Sequence, residues 1–301
     1  MNPVIQFFSR LLSLAALLVV PAAALAASSG TIVIGVVPEV NLVRQMERYV
    51  PLGDYLEKKT AMNIDVKPLA SYGQLYEEMR DGKIDAGFFG SLVYGITRAR
   101  IGIEPLARTV QPNGKSTYSG LLFVRKDTGI KTPADMKGKT IALVDSATSA
   151  GYLAQREYFA GHGIDMEKEL KIYWAGSHEA AIRAVLSHQA ELGGAKSTVV
   201  GRFRRENRTF DALVDIVNDS PKKGLPDNTF AVRKGLNPAM RATLKKTLLA
   251  MDSDPEGKNV LAKFGVLRFI STSDEDFKPL YDWCRHLKID LKSYPYKKAR
   301  Q

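Results

Sequence analysis

Thr140-Ile141-Ala142-Leu143-Val144-Asp145-Ser146-Ala147-Thr148-Ser149-Ala150-Gly151-Tyr152 changes character at Asp145. The first five residues form an apolar, partly branched run with the length of a buried strand, and Gly138 and Lys139 before it read as the turn that introduces it. Asp145 to Ser149 supplies residues of helix N-cap type, and Gly151 to Phe159 continues at helical spacing with Tyr152, Tyr158 and Phe159 as apolar contacts. The first N–H groups of such a helix lack internal partners, and its dipole makes that end partly positive. A phosphate-like group can sit there, with the Thr148 and Ser149 hydroxyls as further donors. Plain helix capping explains the same letters, so the stretch alone leaves both readings open.

The same alternation extends outward in both directions. Upstream, Ile32 to Val37 is a continuous apolar strand, Asn41 to Lys59 is amphipathic, Ile64 to Pro68 is a strand, Gln74 to Arg80 is helical and Ile84 to Phe89 is a third strand. This order implies an α/β fold with parallel strands under covering helices, in which ligands gather where strands end. Ser119 to Val124 reads as a further strand, and the polar stretch Arg125 to Met136 as the crossing into a second lobe. There, strands over Thr140 to Val144 and Leu170 to Trp174, a helix over Glu179 to His188 and a short segment at Leu192 to Ala195 repeat the pattern. Thr229 to Val232 brings the chain back, and Pro238 to Met251, Asn259 to Phe264 and Asp274 to His286 are helical. The expected organisation is a leader over 1–26, lobe one over 31–124, lobe two over 125–232, a return to lobe one with C-terminal helices over 233–290, and a loose basic tail over 291–301.

A chain of 301 residues with 45% hydrophobic composition suits two lobes, because single cores stop growing near this size. Arg10, the apolar run Leu11 to Val20, Pro21 and then Ala24-Leu25-Ala26 read as a cleaved export signal; the run is shorter than a span requires. Export together with one cysteine, Cys284, describes a protein of an oxidising compartment that uses no disulfide, and Cys284 is expected to be half buried on the last helix. The net charge of +11 falls to +10 once Arg10 is removed, which favours anionic partners without choosing among them. Arg202, Arg204, Arg205 and Arg208 fall at helical spacing with no aromatic platform between them, so a solvated face is expected rather than a nucleic-acid surface. No G-x-S-x-G elbow, paired carboxylates or metal-ligand spacing is present; after His178-Glu179, position 182 is Ile where a zinc motif needs histidine.

Most of the mature chain, Ile32 to Trp283, resembles the periplasmic phosphate, phosphite and phosphonate binding proteins of ABC importers, a family with the two-lobed type II periplasmic-binding-protein fold. The likeness is carried by Ile84-Asp85-Ala86-Gly87-Phe88-Phe89-Gly90 with Tyr94 following, Thr132-Pro133-Ala134-Asp135-Met136-Lys137-Gly138-Lys139-Thr140, Val144 to Tyr152, and Ser177-His178-Glu179-Ala180-Ala181-Ile182. The Asp-Met-Lys-Gly-Lys-Thr piece speaks only for the fold; the anion turn followed thirty residues later by His178 is specific to the family. The resemblance implies a ligand cleft between the lobes, no catalysis and no cofactor. It implies a bound oxyanion gripped by Tyr72 and Tyr118 from lobe one, by Thr148 and Ser149 at the helix start, and by His178, an imidazole that titrates near neutral pH. Ala150 stands where the family has a third hydroxyl, which removes one side-chain donor.

Around these, Ser91, as a helix cap, and Tyr94 are expected to line the lobe-one side, while nothing in the spacing of Pro38, Glu39 and Asn41 demands a ligand role. Where aminoalkylphosphonate carriers place acidic residues, this chain offers Lys196, Ser197 and Thr198, with Asp227 further on; Lys196 faces either the cleft or solvent. If it faces the cleft, a ligand amine is disfavoured by like charge. The expected partners are a small anion and a membrane permease, with the protein a periplasmic monomer that binds no nucleic acid. A sensor subunit read by a receptor kinase, or a sulfate or sulfonate receptor, is the alternative.

Overall fold

The computed structural model describes residues 30–295. The leader expected over 1–26 lies outside the described residues, as do residues 296–301. The chain runs β1 (Ile32–Val36), α1 (Leu42–Thr60), β2 (Ile64–Pro68), α2 (Tyr72–Arg80), β3 (Ala86–Phe89), α3 (Ser91–Ile101), β4 (Ile103–Val110) and β5 (Thr117–Arg125). It continues through β6 (Thr140–Leu143), a wide helical turn over Ser149–Leu153 that runs directly into α4 (Ala154–Gly161), α5 (Met166–Glu169), β7 (Lys171–Trp174), α6 (His178–Leu186), β8 (Leu192–Lys196), α7 (Ser197–Glu206) and α8 (Phe210–Leu213). The last part holds β9 (Val214–Pro226), β10 (Thr229–Arg233), α9 (Pro238–Ala250), α10 (Pro255–Phe264), β11 (Arg268–Ser271) and α11 (Lys278–His286).

Two sheets form, ordered β11-β4-β10-β3-β1-β2 and β7-β6-β8-β5-β9. The runs that read as continuously apolar are the parallel central strands: β1 pairs with β2 and β3, and β6 with β7 and β8. Such strands are covered on both faces, which is why alternation is lost in them. The sheets are mixed, however, because the strands on which the chain changes lobe, β10 and β5, run antiparallel to their neighbours.

That pairing moves both lobe boundaries expected from the sequence. Strand β5 belongs wholly to the second sheet, so the chain crosses over residues 111–116, before β5, and not over Arg125 to Met136. It returns after Pro226, since β10 already pairs with β3 and β4 of the first sheet. Three strands went unread: β4, β9 and β11. The basic tail is also anchored further than expected, for Tyr294 is buried and its hydroxyl donates to the Ser146 carbonyl at 2.8 Å.

The lobes pack closely. One continuous apolar cluster runs from Leu75, Phe89 and Leu92 of the first lobe through Tyr72 and Tyr118 to Ala147, Leu153 and Val185 of the second. A separate cluster around Tyr49, Phe88, Phe230 and Phe264 fills the outer side of the first sheet. Cys284 lies buried on α11, with burial pushing its thiol up to about 11.

Candidate anion-binding site

Five strand-to-helix junctions meet at one point between the lobes. Ser71 caps α2 by accepting from Gln74 N–H at 3.2 Å, which makes Tyr72 the first helical residue after β2. Gly90 is the N-cap of α3 after β3, Thr148 precedes the turn after β6, and Ser177 caps α6 by accepting from Ala180 N–H, setting His178 at the start of that helix. Lys196 ends β8 and is the N-cap of α7. These residues line a single pocket with Glu39, just past β1, Tyr118 of β5, and Ala147, Ser149 and Ala150 of the turn. Helix starts aimed at one spot add their partial positive charges and leave N–H groups without internal partners, the conditions under which backbone binds an anion. The space enclosed is about 10 Å³, close to what one water needs: the lobes are shut tightly on one another at this point.

The side-chain hydrogens available there follow from the bonds already made. Ser149 Oγ accepts from Leu92 N–H at 2.8 Å and Tyr118 Oη from Ser91 N–H at 3.0 Å, so each hydroxyl keeps its own hydrogen to donate. Thr148 Oγ1 instead donates to the Asp145 carbonyl at 2.7 Å, which holds the turn. The Tyr72 hydroxyl makes only a long bond of 3.4 Å to the Pro38 carbonyl. Asp145 ties the lobes together, accepting from Tyr72 N–H at 3.2 Å and Ala147 N–H at 2.7 Å, while burial raises its carboxyl above the ordinary range.

His178 departs from expectation. Burial pushes its imidazole down to about 3, with Lys196 and Arg202 adding to the effect and Glu39 opposing it, so it is neutral at physiological pH and no neutral-range switch. Lys196 N–H donates to its Nδ1 at 3.2 Å, which places the ring's own hydrogen on Nε2. The Tyr72 ring meets it edge to face, with centroids 5.9 Å apart.

Lys196 points into the protein, and its side chain is 3% exposed. Its ammonium contacts Glu39 Oε1 at 2.7 Å, Asp227 Oδ1 at 2.7 Å and Asn228 Oδ1 at 2.8 Å. It also lies 4.7 Å from the centroid of the Tyr118 ring. Burial opposes the charge, but Asp227 and Glu39 outweigh it and hold the lysine protonated; in return, Lys196 overcomes burial to keep Glu39 ionised.

The structure therefore brings Tyr72, Tyr118, Thr148, Ser149, Ala150, His178 and Lys196 to one pocket. Tyr118 arrives from the second sheet rather than from lobe one. Ser91 does not cap its helix, since Gly90 holds that position and the Ser91 hydroxyl donates to the Pro226 carbonyl. Tyr94 is turned away: its ring stacks on Phe277 at 3.7 Å and its hydroxyl donates to Asp274. Asp227 stands behind Lys196, also accepting from Gln111 Nε2 at 2.6 Å. Glu39 is the residue that sequence spacing missed; its place just past a strand end was the available signal.

Among proteins of known type, the family model of ABC transporter, phosphonate, periplasmic substrate-binding proteins matches residues 34–277. The phosphonates-binding periplasmic protein of Escherichia coli (strain K12) is 23% identical over 238 residues, covering 77% of this chain and 70% of the relative. A binding protein component of an ABC phosphonate transporter from Pseudomonas aeruginosa superposes with a TM-score of 0.77 at 22% identity, over 84% of this chain and 85% of the other. PhnD1 of Prochlorococcus marinus, solved in complex with methylphosphonate, gives a TM-score of 0.77 at 18% identity, over 86% and 99% of the two chains. The family match spans four-fifths of the sequence and takes in every residue of the pocket, so the chain belongs to the periplasmic substrate-binding proteins of ABC phosphonate transporters.

Proposed function

We propose that this protein captures a phosphorus oxyanion (phosphate, phosphite or a phosphonate) between its lobes in the periplasm, as a monomer exported by its leader, and hands it to the permease of an ABC importer. The observation that carries the reading is the convergence of five strand-to-helix junctions on the pocket, with Tyr118, Ser149 and neutral His178 offering hydrogens into it. Ligand oxygens would be held by Ser149 Oγ, Tyr118 Oη, His178 Nε2 and the N–H groups of the turn, with Tyr72 closing the side.

The same geometry favours binding without turnover. His178 has its acceptor nitrogen engaged by Lys196 N–H and so lacks the lone pair needed to activate the Ser149 hydroxyl. The test is a thermal-shift and calorimetry panel of phosphate, phosphite, methylphosphonate, sulfate and taurine. A ligand at about 100 times its Kd adds about 2.7 kcal/mol to stability, so a phosphorus oxyanion is expected to raise the melting point clearly. A shift from sulfate or taurine alone would make the protein a sulfur-oxyanion receptor, and no shift at all would remove the proposal.

A further inference from the structure

At one end of the pocket that offers hydrogens to an anion stands the carboxylate of Glu39, and behind the lining Lys196 stands a second, Asp227; they are exposed by 4% and 0%. An anion site gains nothing from them directly, since each repels the ligand. They are the groups that would receive a cationic arm projecting from a bound oxyanion. Here the chain itself supplies that cation: the Lys196 ammonium donates to Glu39 Oε1 at 2.7 Å and to Asn228 Oδ1 at 2.8 Å, and is ion-paired with Asp227 Oδ1 at 2.7 Å. The acceptors are linked in turn. Asn228 Nδ2 donates to Glu39 Oε2 at 3.4 Å and Gln111 Nε2 to Asp227 Oδ2 at 2.6 Å, so both carboxylates are held in place around the ammonium.

We infer that Lys196 is a built-in counterion occupying the place of a ligand amine, so that the pocket accepts phosphorus oxyanions with no substituent or a small uncharged one and rejects aminoalkylphosphonates. This rests on the proposed phosphorus-oxyanion reading and narrows its ligand class. A zwitterionic ligand would have to bring a second ammonium against Lys196 or displace it from two buried carboxylates, and either removes the gain that the amine could make. An uncharged methyl or hydrogen meets no such opposition.

The test is isothermal titration of the wild-type protein and of Lys196→Ala with phosphite, phosphate, methylphosphonate and 2-aminoethylphosphonate. The wild type is expected to bind at least one amine-free oxyanion and to bind 2-aminoethylphosphonate weaker by about 100-fold or more. Lys196→Ala leaves Glu39 and Asp227 facing an empty space of ammonium size, so the preference inverts: methylphosphonate weakens and 2-aminoethylphosphonate gains at least about 10-fold over wild type. Ethylammonium chloride is likewise expected to raise the melting point of the variant and not that of the wild type. Comparable wild-type affinity for methylphosphonate and 2-aminoethylphosphonate overturns this inference while the oxyanion reading stands; no affinity for any of the four overturns both. If Lys196→Ala fails to fold, the wild-type comparison alone decides.

Discussion

Buried at the start of α6, the imidazole of His178 has an acid-base behaviour unlike that of a histidine in water. Its folded value of about 3 lies well below the ordinary 6.5, so between those limits the unfolded chain takes up a proton that the native chain refuses. Its contribution to stability is complete above pH 6.5 and is lost as the pH falls toward 3, with a limiting slope of about 1.4 kcal/mol per pH unit. Asp145 titrates in the opposite sense, because burial raises its carboxyl; the informative quantity is thus the difference between wild type and His178→Asn. Urea unfolding of the ligand-free proteins from pH 7 to pH 4 is expected to show a flatter profile in the variant, and parallel profiles would mean that His178 is solvated. Ser149→Ala and Tyr118→Phe each delete a donor, and each is expected to weaken oxyanion binding by about 10-fold, the worth of one hydrogen bond. Normal affinity in both variants would remove these hydroxyls from the site. The place of Ser149 and His178 in the pocket was legible because motifs of the resembling family held them, and that of Tyr118 because the resemblance implied a second tyrosine there. Glu39 was not, since its role comes from Lys196, 157 residues away.

At the scale of elements, legibility followed the origin of each strand's stability. Strands β1, β3 and β6 are apolar throughout because helices cover both faces, and the letters alone declare them. Strand β4 carries Glu104, Pro105 and Arg108, and β9 carries Asp215, Asn218, Asp219, Pro221, Lys222, Lys223 and Gly224. Their extended state is imposed by pairing with β10 and β5, which no local pattern records. The crossing was misplaced for a similar reason. Charged and turn-forming residues mark a surface connection, but Arg125 to Met136 links two strands of one sheet while the segment 111–116, with Pro112-Asn113-Gly114, changes sheet. The turn after β6 depends on Gly151. A Cβ there would collide with the Val144 side chain and stand 2.8 Å from Thr148 Oγ1, so strand and turn would have to separate. Gly151→Ala is expected to cost about 1–3 kcal/mol by overpacking and to weaken ligand binding as well, measured by chemical denaturation and titration. Unchanged stability would mean that the turn relaxes freely.

Across the whole molecule, the chain passes between the lobes at 111–116 and 227–228, and the C-terminal segment adds a strap through Tyr294 and the Ser146 carbonyl. Closure is held by bonds between lobes: Tyr72 N–H to Asp145, Ser91 N–H to Tyr118, Leu92 N–H to Ser149 and Glu179 N–H to the Glu39 carbonyl. A ligand touching both lobes stabilises the closed state by its difference in affinity for the two states. Removing the Asp145 contact with Asp145→Ala is expected to enlarge the radius of gyration of the ligand-free protein in small-angle scattering, with saturating oxyanion shrinking it again. Equal radii for wild type and variant would show that Asp145 does not hold the lobes together. The hydroxyls of Ser149 and Tyr118 each receive an amide from α3 while keeping a hydrogen free to donate, so under the proposed reading release of the cargo and parting of the lobes would become one event. The residence time of the ligand would then be the lifetime of the shut conformation. A transporter that drew α3 away from the Ser149 turn would empty the receptor without competing for what it carries.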